Sequence, residues 1–213
     1  MIIEQRLTPN HAPRQDDIRF VILHCTETAT DEHALDVYLD RKRELSCHYY
    51  ITYDGKIMQL VLDENTAWHA GISAWQEQKN LNHASLGIEI GNPGEDKNTP
   101  FTEQQYQALE YLLGMLIAKH NVSPSNILAH SDIATNRKKD PGRHFDWRRL
   151  EAKKMAGTFT WPKGALDPLD ALYKWGYHGD EADVIRAFQR RYVPDDVTGT
   201  LSKKTHAFIC AAK

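Results

Sequence analysis

Short apolar runs alternate with amphipathic stretches along the first two thirds of the chain. FVILH (20–24) is a continuous apolar run of strand length, read as a buried central strand with His24 at its exit. Thr30 can cap a following helix whose one face carries Ala34, Leu35, Tyr38 and Leu39. In HYYITYDGKIMQLV two β-rich runs flank Asp54-Gly55, a hairpin signal because glycine tolerates positive φ in the turn. DENTAWHAGISAWQEQKNLNHA has no clear period and reads as irregular, whereas SLGIEI (85–90) reads as another strand. Thr102 and Gln105 form a capping box for a long helix with Tyr106, Leu109, Leu113, Leu116 and Ile117 on one face, and Asn121 stops it. NILAH (126–130) is a strand again, ending on His130. The alternation predicts an α/β fold, a mixed central β-sheet flanked by helices.

The pattern changes over AGTFTWPKG (156–164). Beyond it, DPLDALYKWGYHGD, EADVIRAFQRRY and TLSKKTHAFICAA read as three short helices. The chain thus divides into residues 1–157 and a small C-terminal three-helix domain, 158–213. About fifty residues is near the lower limit for a core that stands alone.

Composition narrows the function classes. The chain has 213 residues, 41% hydrophobic and 26% charged, in the range of globular proteins. A formal net charge of −3 weighs against a nucleic-acid partner held by bulk charge. No stretch approaches the roughly 20 apolar residues of a membrane-spanning helix. MIIEQRLTPNHAPRQDD has neither the apolar core nor the cleavage pattern of a signal peptide, which leaves cytoplasm, an unconventional export route or a sequence written without its signal as alternatives. The three cysteines, Cys25, Cys47 and Cys210, are odd in number and lack CxxC spacing, so a disulfide framework is not expected. No coiled-coil pattern appears, and a monomer is expected.

Eleven histidines make a metal or acid–base site worth testing. His24 and His130 each end a predicted strand, and Asp140 lies close enough to His130 for a loop to return it. Two imidazoles and a carboxylate are a common way to hold zinc with a fourth position open. In SLGIEI, Leu86, Ile88 and Ile90 share one face, and Gly87 and Glu89 the other. A carboxylate within an apolar strand costs free energy unless it is paired or faces a cleft, and Gly87 beside it would leave room for a ligand. Lys138, in NRKKD, would place an ammonium beside a developing oxyanion. Together these are the parts of a metal-assisted hydrolysis: zinc on His24, His130 and Asp140, Glu89 as proton acceptor and donor, and Lys138 as electrostatic stabiliser.

VILHCT (21–26), SCHYYI (46–51), AWHAGISAW (67–75), LNHASLGIEI (81–90) and AHSDIATNRKKDPG (129–142) resemble, in order, the motifs of the zinc-dependent N-acetylmuramoyl-L-alanine amidases. That group shares its fold with phage amidase lysozymes and peptidoglycan recognition proteins. The resemblance covers nearly all of residues 18–150. It implies one zinc ion on His24, His130 and Asp140, and catalytic roles for Glu89 and Lys138. It also implies a groove for the muramyl peptide lined by Trp68, His69, Ala70 and Asn82, with His48 nearby. LYKWGYHGD followed by VIRAFQRRY is similar to a small three-helix peptidoglycan-binding domain. Cys25 departs from the aromatic residue that often follows the first ligand, and strand alternation turns it away from a metal held by His24.

The expected reaction is hydrolysis of the amide between the lactyl group of N-acetylmuramic acid and L-alanine. The expected partners are peptidoglycan or muramyl-peptide fragments. A non-catalytic peptidoglycan recognition module is the alternative, and a cysteine hydrolase built on Cys25 or Cys47 is a further rival. The C-terminal domain favours the periplasm or cell wall as the place of action, since a second binding site raises local concentration on an extended substrate; the missing signal peptide pulls toward the cytoplasm. Removing residues after about 160 should spare activity on soluble muramyl peptides but weaken binding to intact sacculi.

Overall fold

A computed structural model describes residues 1–213. Ten strands appear in chain order: β1 (Ile3–Gln5), β2 (His11–Pro13), β3 (Phe20–Cys25), β4 (Tyr49–Ile51), β5 (Ile57–Gln59), β6 (Asn65–Ala67), β7 (Ala74–Trp75), β8 (Gln78–Lys79), β9 (Ser85–Ile90) and β10 (Ile127–Ala129). The helices are α1 (Asp31–Leu39), α2 (Glu103–His120), α3 (His130–Ile133), α4 (Trp147–Ala152), α5 (Pro168–Trp175), α6 (Glu181–Tyr192) and α7 (Lys203–Ala211). Six strands form one mixed sheet in the order β1-β5-β4-β9-β3-β10. β3 runs parallel to both β9 and β10, and β4 pairs antiparallel with β5 across the turn that holds Asp54-Gly55. Gly55 takes φ +82°, and a Cβ there would lie 2.7 Å from the Gln104 carbonyl oxygen, so conformation and space both require glycine.

The expected caps are present. The Thr30 hydroxyl accepts from the His33 N–H at 3.2 Å. Thr102 and Gln105 exchange both bonds of the capping box, and the Gln105 amide also donates to the carbonyls of Thr52 and Gly91. That side chain ties the start of α2 to the hairpin and to the chain leaving β9. Asn121 ends α2 in the left-handed region at φ 53°.

One sheet face is apolar. Val21, Leu23 and Cys25 of β3 and Leu86, Ile88 and Ile90 of β9 pack with Leu109, Leu112, Leu113 and Leu116 of α2. The opposite face is shared. Near β4 it meets α1, through Ala34, Leu35, Tyr38, Cys47 and Tyr50. Near β3 and β10 it meets the C-terminal helices: Phe20, Ile22 and Leu128 lie in one cluster with Leu172, Tyr177, Val184, Phe188 and Ile209.

Four features depart from the sequence reading. His130 does not end a strand: β10 stops at Ala129 and His130 opens α3. The segment read as irregular contributes three short strands, β6 to β8. Helix α4 has too few residues to show a period and was not foreseen. Finally, the C-terminal helices complete the core over β3 and β10, so the cut after about 160 would expose Phe20, Ile22 and Leu128. The expectation that such a cut spares activity is therefore withdrawn.

With this shared core, urea denaturation followed by fluorescence and by circular dichroism is expected to give one coincident transition. Phe188→Ala should lower the unfolding free energy by about 3–5 kcal/mol, and a chain ending at residue 157 should lose the cooperative melt.

Candidate active site

The register of the sheet brings the chemistry together. His24 pairs directly with Glu89, and Glu89 with Tyr50 on its other side. β10 pairs with β3 up to Ala129↔Leu23, so the next residue, His130, falls beside His24. Asp140 returns through its backbone, its carbonyl accepting from the Ser131 N–H at 3.0 Å.

Three side-chain atoms converge. His24 Nδ1 lies 2.9 Å from His130 Nδ1 and 3.1 Å from Asp140 Oδ2, and His130 Nδ1 lies 3.0 Å from the same oxygen. All three residues are buried. The surrounding partners set where the imidazole protons sit. His130 Nε2 faces the Ala70 carbonyl at 3.2 Å and must donate to it, which leaves Nδ1 as a lone pair. His24 Nε2 meets His69 Nδ1 at 3.0 Å, His69 Nε2 meets the Ser85 hydroxyl at 3.2 Å, and that hydroxyl donates to the Leu81 carbonyl at 2.6 Å. Read from Leu81 backwards, every proton in this chain points away from the centre. Two lone pairs and a carboxylate oxygen then face one another with no proton between them. Asp140 Oδ1 is also buried without a partner. Such a set calls for a cation, and the donor types suit a borderline ion. His24, His130 and Asp140 can hold a metal.

The remaining predicted residues fall in distinct places. Trp68, His69, Asn82, His130 and Lys138 line an open cleft of ≈ 550 Å³. The Asn82 side-chain oxygen accepts from the N–H groups of His69 (3.1 Å) and Ala70 (2.7 Å), which fixes the cleft wall. Ala70 itself is fully buried and contributes its carbonyl, not a surface. His48 does not reach the cleft: it is fully buried, with Nδ1 accepting from the Gly87 N–H at 2.9 Å and Nε2 lying 3.1 Å from the Asn65 carbonyl. Burial and the nearby Arg14 guanidinium push its pKa down to about 3. The room expected beside Gly87 is taken by His69, because a Cβ there would lie 2.4 Å from the His69 ring. Glycine is needed for close packing of an imidazole rather than for a ligand.

Glu89 is 8% exposed, and its Oε2 has no hydrogen-bond partner. Burial, and then the charge of Asp140, push its pKa up to about 8, while Lys138 acts in the other direction. Lys138 is half-buried in the cleft wall. Sequence reasoning missed Arg137, whose guanidinium donates to the carbonyls of Ala70 (2.5 Å) and Ile72 (2.7 Å) and lines the same cleft. A third cation in NRKKD gave no separate signal. Cys25 faces the α2 core and Cys47 is fully buried; burial raises both thiols well above their ordinary value. Neither is a nucleophile here.

Known proteins resemble this chain in sequence and fold. A family model described as N-acetylmuramoyl-L-alanine amidase (Amidase_2) matches residues 14–143. The N-acetylmuramoyl-L-alanine amidase AmiD of Escherichia coli is 33% identical over 89% of this chain and 80% of its own. The 1,6-anhydro-N-acetylmuramyl-L-alanine amidase AmpD of Enterobacter cloacae is 43% identical over 51% of this chain and 56% of its own. Among solved structures, E. coli AmiD in complex with anhydro-N-acetylmuramic acid-L-Ala-D-γ-Glu-L-Lys superposes with TM-score 0.79 at 30% identity, covering 96% of this chain and 89% of that one. Pseudomonas aeruginosa AmpDh3 superposes with TM-score 0.79 at 28% identity, covering 94% and 92%. A matched family model over more than half the chain, and a relative matched along most of both lengths, place this protein in the N-acetylmuramoyl-L-alanine amidase family.

Proposed function

We propose that the protein is a zinc-dependent amidase that hydrolyses the bond between the lactyl carbonyl of N-acetylmuramic acid and L-alanine. The convergence of His24 Nδ1, His130 Nδ1 and Asp140 Oδ2 without a proton among them carries this reading. These three residues would hold zinc, which when bound supplies Lewis acidity to the scissile carbonyl and to water. His69 and the Ala70 carbonyl keep the two imidazoles in the ligand tautomer.

Glu89 takes the proton of the attacking water and passes it to the leaving amine. In the metal-free protein, burial and the Asp140 charge push this carboxyl up to about 8, so it holds a proton more strongly than an ordinary glutamate. Lys138 stands in the cleft wall and stabilises the charge that grows on the carbonyl oxygen. Trp68 and Asn82 bound the cleft where the muramyl peptide lies, with Arg137 offering a further cation to the stem's carboxylates. The solved relatives AmiD and AmpDh3 are named with anhydro-muramyl peptides bound, so we infer that this cleft accepts such fragments as well as stems still attached to the wall. The three-helix segment, 158–213, would meet polymeric peptidoglycan with its outward surface, which favours action in the periplasm or at the cell wall. No helix is long and apolar enough to cross a membrane.

Purified sacculi treated with the protein should release peptides beginning with L-alanine. Release should stop on chelation and return with zinc. Glu89→Gln should retain zinc yet lower kcat by roughly 10²–10⁴-fold, and Lys138→Met by about 10²–10³-fold, both read on a soluble muramyl tripeptide. Release that persists in excess chelator would sink the zinc reading.

Acid should destabilise the metal-free protein. His24 and His48 are kept neutral by burial, with pKa values pushed down to about 4 and about 3. Unfolded imidazoles titrate near 6.5. Between those values the unfolded chain binds more protons, so this contribution is fully present above about pH 6.5 and is lost as the pH falls toward 4. The Tm of chelator-treated protein should decline across that window, and His48→Gln should flatten the decline.

A further inference from the structure

Helix α3 is four residues long, beginning at His130. One turn of helix has no stability of its own, so the position of its first side chain depends on what holds the turn. Asp132 does this from inside. It is fully buried, and its Oδ2 accepts from the Ala129 N–H at 2.8 Å, fixing the residue before His130. Its other partners both come from the C-terminal segment: Arg191 of α6 donates to Oδ2 at 2.8 Å, and the hydroxyl of Tyr177, between α5 and α6, donates to Oδ1 at 2.9 Å. Arg191 is itself anchored, with its guanidinium 4.0 Å over the Trp147 ring and a bond to the Gly157 carbonyl at 3.2 Å.

The neighbouring arginine serves the other end of the same loop. Arg190 pairs with Glu95 at 3.2 Å, and the same Glu95 oxygen accepts from the Arg143 N–H at 2.8 Å. Arg143 lies three residues beyond Asp140. Arg190 and Arg191 are 8% and 6% exposed, so these are inward-facing charges, not a wall-binding surface.

We propose that Arg190 and Arg191 are positioning residues for the metal centre: Arg191, with Tyr177, sets His130 through Asp132, and Arg190 sets Asp140 through Glu95. The proposal rests on the reading of His24, His130 and Asp140 as zinc ligands. It makes the three-helix segment a structural part of the catalytic site. Without Arg191, the Asp132 carboxylate is a buried charge short of its cation. It can relieve this only by drawing toward water or a proton, and either change loosens the turn that begins with His130.

The full-length protein tests this with Tyr177→Phe, Arg191→Met and Arg190→Met. Arg186→Met serves as control, since Arg186 lies on the same helix but pairs with Asp183. Zinc affinity is measured by competition with a chromophoric chelator, and ligand geometry by the visible spectrum of cobalt-loaded protein. Each of the three variants should weaken zinc binding by about tenfold or more and change the cobalt bands, while Arg186→Met matches wild type in both. Tyr177→Phe keeps its ring and loses one hydroxyl, so it reports even if Arg191→Met does not fold. Folded variants with wild-type affinity and spectrum would overturn the positioning role alone. Wild-type protein that binds no zinc would overturn the ligand assignment instead.

Discussion

Three acceptor atoms meet in the interior with no proton to share, and much of the surrounding structure serves that meeting. An imidazole lone pair facing another lone pair and a carboxylate is unfavourable unless a cation fills the gap. The chain therefore has to force the tautomers outward. It does so with groups that can only accept, the carbonyls of Ala70 and Leu81, the second reached through His69 and Ser85. His69 is thus a support of the first ligand as well as part of the cleft wall. Gly87 is the consequence on the strand below, because no side chain fits under that ring.

Period-two alternation along β3 and β9 divides the work of the sheet. Leu23, Cys25, Ile88 and Ile90 go to the α2 core, while His24 and Glu89 go to the opposite face. The pairing His24↔Glu89 puts a ligand and a carboxylate on adjacent strands at the same level. Burial disfavours the Glu89 anion and the Asp140 charge disfavours it further, so this carboxyl holds a proton more strongly than an ordinary glutamate because of its location alone. The same alternation explains why the cysteine next to the first ligand takes no part.

Much of this was legible in the residues because it is local or periodic. The caps at Thr30 and Thr102, the stop at Asn121 and the hairpin at Asp54-Gly55 each depend on a few neighbouring side chains, and all appear as expected. His24 was legible because the end of β3 delivers its side chain to one edge of the sheet; His130 and Asp140 reach the same place from a helix start and a loop. What was not legible depends on distant pairs. The two-residue strands β7 and β8 are too short to show a period. The resemblance put His48 near the groove, and Gly87 read as room for a ligand beside Glu89; only the fold shows that His69 fills the space at Gly87 and that His48 is buried. The shift of His130 from strand end to helix start follows from Asp132, whose partners lie 45 and 59 positions further on.

The C-terminal segment has two sides, and they cannot do the same job. Its inner side carries Leu172, Tyr177, Val184, Phe188 and Arg191, all buried against the sheet or the ligand loop. These positions are committed to packing and cannot also receive a ligand. Any contact with polymeric wall must use the outer side, where Tyr173, Lys203, Lys204 and His206 are exposed. A residue such as Arg191, conspicuous in sequence as a cation on an amphipathic helix, would be assigned to the outer side by composition alone. Its burial over Trp147 reverses that assignment. The buried inner side and the exposed outer side of this segment are thus opposite faces of one packed unit, and only the outer side is open to a partner.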